Sequence, residues 1–160
     1  MDTISLSVLL KWIHLMATVA WIGGMFTNFF IYLPAIGKSL DAPVAGKLMG
    51  VVMKRFRILV YVSMAVFLIS GVMMGSLHLN AGEVFSSKNQ MVAVLIFKVP
   101  LYLIMLVLAI AAFEFVAPRI ARLAKEGPSP KLARAQRSQK ILAMTGFLLG
   151  VIILALSAAL

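Results

Sequence analysis

Cysteine is absent from this chain of 160 residues, and acidic side chains number only five. The absence of cysteine excludes disulfides, thiolate zinc sites, iron–sulfur clusters and covalent c-type haem attachment. Charged residues make up 12% of the chain and hydrophobic residues 62%, whereas a soluble domain has about 25% and about 45–50% respectively. This composition therefore excludes a soluble globular domain.

The apolar residues are concentrated in four blocks, at about residues 6–33, 56–79, 91–117 and 141–160. Each block is long enough to cross a hydrocarbon layer about 30 Å thick as a helix. Pro34 and Pro118 directly follow the first and third blocks, where proline is expected to end a helix. The sequence predicts an all-α, polytopic membrane four-helix bundle that forms a single transmembrane domain over residues 1–160, with the first block retained as a helix.

The formal net charge is +10, and the basic residues cluster in the connections after the first and third blocks. By the positive-inside rule both connections are expected in the cytoplasm. We therefore expect a multi-pass protein of the bacterial inner (plasma) membrane whose N and C termini face the periplasm. Because the basic residues flank membrane spans and have no interleaved aromatic residues, the lipid bilayer is an expected partner and nucleic acid is not.

Ionisable side chains inside a bilayer are costly, so each one marks a candidate functional site. The only two histidines, His14 and His78, fall near the predicted outer ends of the first and second helices. Lys98 falls near the outer end of the third helix, and Lys11 lies one turn above His14. We interpret these residues as converging at one height, although His78 alone also fits an interfacial histidine bonded to backbone or water, and Lys98 a snorkelling lysine.

Two polar stripes follow helical spacing on the first two predicted helices. They consist of His14, Thr18, Trp21, Met25, Asn28 and Tyr32 on the first helix, and of Ser63, Phe67, Ser70, Met74 and His78 on the second. The polar interior of the bundle is therefore expected to be built mainly by the first three helices.

Two histidines from separate helices of a membrane bundle are a usual means of holding b-type haem. Each imidazole gives one nitrogen to iron, and its other N–H needs a hydrogen-bond acceptor. We therefore interpret His14 and His78 as metal ligands, Lys11 and Lys98 as partners of the haem propionates, and Trp21 and Tyr102 as residues that pack against the macrocycle.

The first functional hypothesis is a small b-type cytochrome that transfers electrons at the periplasmic side. A membrane oxidoreductase is a candidate activity, but no catalytic residue is evident. A quinol, a porphyrinogen or a periplasmic redox protein would be the partner, and the sequence also allows a homodimer that shares one haem.

Copper is the main alternative to haem. Thioether sulfur suits Cu(I), and imidazole suits both copper states. Methionines near the histidines on the outer half are Met16, Met73, Met74 and Met91. A third alternative is a structural or assembly subunit whose polar residues only pack helices.

The segment KWIHLMATVAWIGGMFTNFFIYLP, with Lys11, His14 and Trp21, resembles the first helix of the CopD-like copper resistance family. It also resembles that of the related HemJ-type membrane proteins, which are haem b-binding protoporphyrinogen oxidases. The segment FKVPLYLIMLVLAI, with Lys98 and Leu101, is similar to the lysine-bearing third helix of the same superfamily.

The resemblance implies a four-helix membrane bundle with His14 and Lys98 in its polar interior. It implies copper transport or resistance, or protoporphyrinogen oxidation, as the activity. The HemJ pattern has a further histidine near the end of the third helix, where this chain reads AIAAFEFVAP.

Overall fold

Every regular element is helical in the computed structural model, which describes residues 3–78 and 90–158. The α-helices are α1 (Thr3–Thr27), α2 (Leu33–Ser39), α3 (Ala42–His78), α4 (Gln90–Ile110), α5 (Ala117–Lys125) and α6 (Pro130–Ala158). Short π-helical segments, Asn28–Tyr32 and Ala111–Val116, join α1 to α2 and α4 to α5.

Four stretches of this helical chain are long and apolar enough to cross a membrane: Ile4–Ser39, Ala42–Leu77, Ile96–Lys125 and Pro130–Ser157. The predicted all-α fold with four membrane-crossing helices is thereby confirmed. The predicted outer connection after the second helix lies outside the described residues.

Pro34 and Pro118 lie inside continuous helical segments, so the prediction that they end helices is wrong. Each proline follows a π segment closely. The N–H of Leu33 donates to the Asn28 carbonyl, and that of Ala117 to the Ala112 carbonyl, five residues back in each case. In a regular α-helix the proline ring would clash with the carbonyl four residues back. The wider π turn changes the position of the carbonyls, so the helix continues past the proline.

The helices also extend beyond the predicted apolar blocks. Helix α3 begins at Ala42 rather than near residue 56, and α6 begins at Pro130 rather than near residue 141. Lysine and arginine are good helix formers, whereas hydropathy marks only the part of a helix that can enter hydrocarbon. Basic residues assigned to connections, such as Lys47 and Arg134, therefore lie on helices.

Two compact units divide the chain, Met1–Phe97 and Lys98–Leu160. In the first unit, α1 packs along α3. In the second unit, α6 packs against α5 and the π segment that precedes it. The single transmembrane domain over residues 1–160 stays a prediction.

Candidate functional site at the α1–α3 interface

The interface between α1 and α3 contains most of the buried polar groups of the described residues. From the first helical segment it buries Leu10, Trp21, Met25 and Asn28, and from α3 it buries Val60, Ser63, Met64 and Ser70. These residues include members of both predicted polar stripes. Tyr32, the last member of the first stripe, is 48% exposed, because the π segment Asn28–Tyr32 changes the angular spacing of the residues along the helix.

His14 is held at this interface by a hydrogen bond from α1 to α3. Its Nδ1 lies 2.7 Å from the Ser70 hydroxyl oxygen, and the Ser70 hydroxyl donates its one hydrogen to the Val66 carbonyl. Ser70 must therefore accept from the Nδ1–H of His14. In the neutral imidazole the lone pair then lies on Nε2, which is the nitrogen that can bind a metal.

Phe67 packs against His14 from α3. The two ring centroids are 5.0 Å apart, and on its other side Phe67 lies 5.7 Å from the ring of Trp21. Trp21 is only 5% exposed. Through Phe67, therefore, Trp21 supports the orientation of the His14 ring.

Close approach of the two helices occurs two to three turns below His14, at Gly24. A Cβ atom there would lie 3.0 Å from Phe56 Cε2 and 3.2 Å from Leu59 Cδ2. By contrast, a Cβ at Gly71 would meet no atom within 4 Å among the described residues. The absence of a side chain at Gly24 thus allows the packing that brings His14 to Ser70.

Asn28 directly follows the C-terminal end of α1, at the start of the first π segment. It is 7% exposed, and its Oδ1 has no hydrogen-bond partner within the part of the chain that the structure describes. A buried polar atom without a partner costs about 1–3 kcal/mol. Asn28 belongs to the polar stripe predicted on the first helix, but that stripe does not indicate a role for it.

The other predicted site residues lie in different places. Lys11 is exposed on α1, whereas Lys98 and Tyr102 are half-buried on α4 in the second unit. His78 is the last residue of α3, and its side chain lies outside the described residues. Eight residues separate it from Ser70, so its Cα lies about 12 Å farther along the helix. The convergence of these residues with His14 stays a prediction.

The contacts of Ser70 and Phe67 with His14 could not be predicted from the sequence. Both belong to the predicted stripe on the second helix, but the stripe does not indicate which residue faces His14. Among the described residues, no group of three or more His, Cys, Asp or Glu side chains could hold a metal ion. A metal bound by His14 would therefore need thioether, water or His78 as its other ligands.

Comparison with known proteins identifies the family. The family model described as Copper resistance protein D matches residues 50–160, more than half of the chain. The chain belongs to this family. The match includes Ser70, His78 and Lys98, whereas His14 precedes it. No curated protein and no solved structure matches the chain.

This membership confirms the predicted resemblance to the CopD-like family, and the matched residues include the third helix but not the first. Together with the four candidate spans, it establishes a multi-pass membrane protein related to copper resistance.

Proposed function

We propose that the chain is a copper-handling membrane protein in which His14 binds copper as the transported or sequestered substrate. The hydrogen bond between His14 Nδ1 and Ser70 is the observation that carries this proposal. It favours Nε2 as the ligating atom, and an acceptor on the other ring nitrogen is what a metal-binding histidine commonly has. Membership of the Copper resistance protein D family supports copper as the metal.

Further ligands for copper are available along one face of α3. Met74 lies one turn beyond Ser70, and His78 lies one turn beyond Met74. Residues spaced by four share a helix face. A thioether and an imidazole together suit Cu(I), which prefers soft donors. We therefore propose Met74 and His78 as the partners of His14 in holding Cu(I).

Copper bound to the purified full chain tests this proposal. After equilibration with Cu(I) under reducing conditions and removal of excess metal, we expect copper at near one equivalent per chain. His14→Ala should lose most of this copper, while Lys11→Gln, on the same helix, should retain it. Equal copper in wild-type and His14→Ala protein would contradict the proposal.

The second candidate is the b-type haem protein of the sequence analysis. The acceptor that Ser70 provides to His14 favours it equally, because a haem-ligating histidine needs the same second hydrogen bond. In this candidate His14 and His78 bind the iron, Lys11 and Lys98 the propionates, and Trp21 and Tyr102 the macrocycle. Bound haem would supply one-electron chemistry, serving a quinol, a porphyrinogen or a periplasmic redox protein.

The packing around His14 limits where haem could lie. Phe67 and Ser70 cover the side of the imidazole that faces α3, so a macrocycle cannot lie between His14 and that helix. His78 lies about 12 Å of helical rise beyond Ser70 in both candidates, so this separation does not distinguish haem from copper. The covered face of His14, together with membership of the Copper resistance protein D family, makes haem the second candidate.

An absorption spectrum separates the two candidates. Protein from a haem-replete host should show a Soret band, and split α and β bands on reduction, only if haem is bound. His14→Ala and His78→Ala should each change the spectrum. A chain without a Soret band excludes the haem candidate and leaves the copper proposal standing.

A further inference from the structure

Helices α5 and α6 form a well-defined helical hairpin over residues 117–140, which we call the basic hairpin. In its turn the Glu126 N–H donates to the Leu123 carbonyl at 3.1 Å, and Gly127 has a φ of +95°. The Leu132 N–H donates to the Ser129 hydroxyl at 3.2 Å, which caps the start of α6. Leu123 and Ala135 are 5% and 7% exposed, so the hairpin also has an apolar contact surface of its own.

Positive charge dominates the surface of the basic hairpin. Its cations, all exposed, are Arg119, Arg122, Lys125, Lys131, Arg134, Arg137 and Lys140, and its one carboxylate is that of Glu126. Packed helices lie about 8–10 Å apart. This distance is similar to the Debye length of about 8 Å at physiological salt. The cations of α5 and α6 therefore repel one another, and a bound anion would relieve this repulsion.

Two arginines of the basic hairpin lie at the same level on opposite helices. Arg119 is eight residues before Gly127, and Arg137 is nine residues after Pro128. Both are close to hydrocarbon, because the apolar blocks end near residue 117 and begin again near residue 141. At about 1.5 Å per residue, they lie about 3–6 Å beyond these blocks, which is the depth of the lipid headgroups.

We propose that Arg119 and Arg137, with Arg122 and Lys140 beside them, bind the phosphate group of an anionic phospholipid. The planar guanidinium presents paired N–H donors that match two phosphate oxygens. An anionic headgroup brings a net negative charge, whereas a zwitterionic headgroup does not. The hairpin places the two exposed arginines at a similar depth on α5 and α6, so both can reach the phosphate layer of the bilayer.

Thermal unfolding of the full chain in nanodiscs tests the lipid site. We compare discs of phosphatidylcholine with discs that also contain phosphatidylglycerol. Phosphatidylglycerol should raise the Tm of the wild type by roughly 2–4 °C. The double variant Arg119→Gln/Arg137→Gln should lose most of this rise. The matched control Lys47→Gln/Lys54→Gln removes the same charge from α3 and should keep it.

A second double variant, Arg119→Lys/Arg137→Lys, keeps the positive charge. It therefore distinguishes loss of the lipid site from loss of folding. It should lose part of the rise, because an ammonium group cannot make the paired contact. The proposal is overturned if phosphatidylglycerol gives the wild type no rise, or if the control variant loses as much as the arginine variant. Inorganic phosphate added to phosphatidylcholine discs should give no rise. An equal rise would show that the site takes free phosphate and overturn the lipid assignment.

Discussion

Ser70 determines which nitrogen of His14 carries the proton, and this is the most specific chemical feature at the scale of single residues. The serine is 2% exposed, so water cannot readily replace its hydroxyl. Without it, the Nδ1–H would lose its acceptor and the ring would lose part of its orientation. In the proposed role of His14 as a metal ligand, this bond would orient the imidazole better than an isolated helix could.

Ser70→Ala should weaken Cu(I) binding by about 10–100-fold, the usual effect of removing the hydrogen-bond partner of a metal ligand. Competition with a Cu(I) chelator measures this affinity. Ser76→Ala is the matched control, because Ser76 is exposed and bonds only to the Met73 carbonyl of its own helix. Equal weakening in both variants, or in neither, would show that Ser70 does not act through His14.

At the scale of helices, the contact between α1 and α3 depends on a glycine that only the structure distinguishes from its neighbour. Gly23 and Gly24 are adjacent in sequence, but only Gly24 faces Phe56 and Leu59 at close range. A Cβ at Gly23 would meet no described atom within 4 Å. The pair therefore separates the effect of packing from that of helix propensity.

Gly24→Ala should lower the free energy of unfolding by about 1–3 kcal/mol, because overpacking forces the helices apart. Gly23→Ala should leave it unchanged or raise it by up to about 1 kcal/mol, since alanine is the better helix former. Unfolding of both variants in a denaturing detergent titration measures the difference. Similar stabilities would contradict this prediction and show that the Phe56 and Leu59 side chains move aside at little cost.

At the scale of the whole molecule, the distribution of charge predicts the orientation in the membrane. Pro128 lies in the connection between α5 and α6, and both of these helices are rich in lysine and arginine. The N-terminal segment around Ile4, by contrast, has no lysine or arginine before Lys11. By the positive-inside rule the first region is expected in the cytoplasm and the second in the periplasm. This orientation, in a bacterial inner membrane, stays a prediction.

The absence of cysteine makes the orientation directly testable, since the wild-type chain gives no background labelling. An impermeant maleimide applied to intact cells with a permeable outer membrane should label Ile4→Cys. It should label Pro128→Cys only after the inner membrane is broken. The opposite pattern would place the N terminus in the cytoplasm and contradict the expected topology.

Much of the fold could be predicted from the sequence because apolar blocks of this length have few alternatives. In hydrocarbon each backbone N–H and C=O needs a partner within the protein, and a helix provides these bonds inside one segment. The continuation of the first helix past Pro34 could not be predicted in this way. Its π segment depends on backbone hydrogen bonds, which hydropathy does not report.

The sequence by itself determined the fold class and family, and it limited metal ligands mainly to two histidines and the methionines. Tertiary structure alone decided that Ser70 bonds to His14, that Phe67 packs against it, and that Asn28 rather than Tyr32 is buried. The reason is geometric. Helical spacing shows which residues share a face, but the rotation and offset between two helices are set only when their side chains pack.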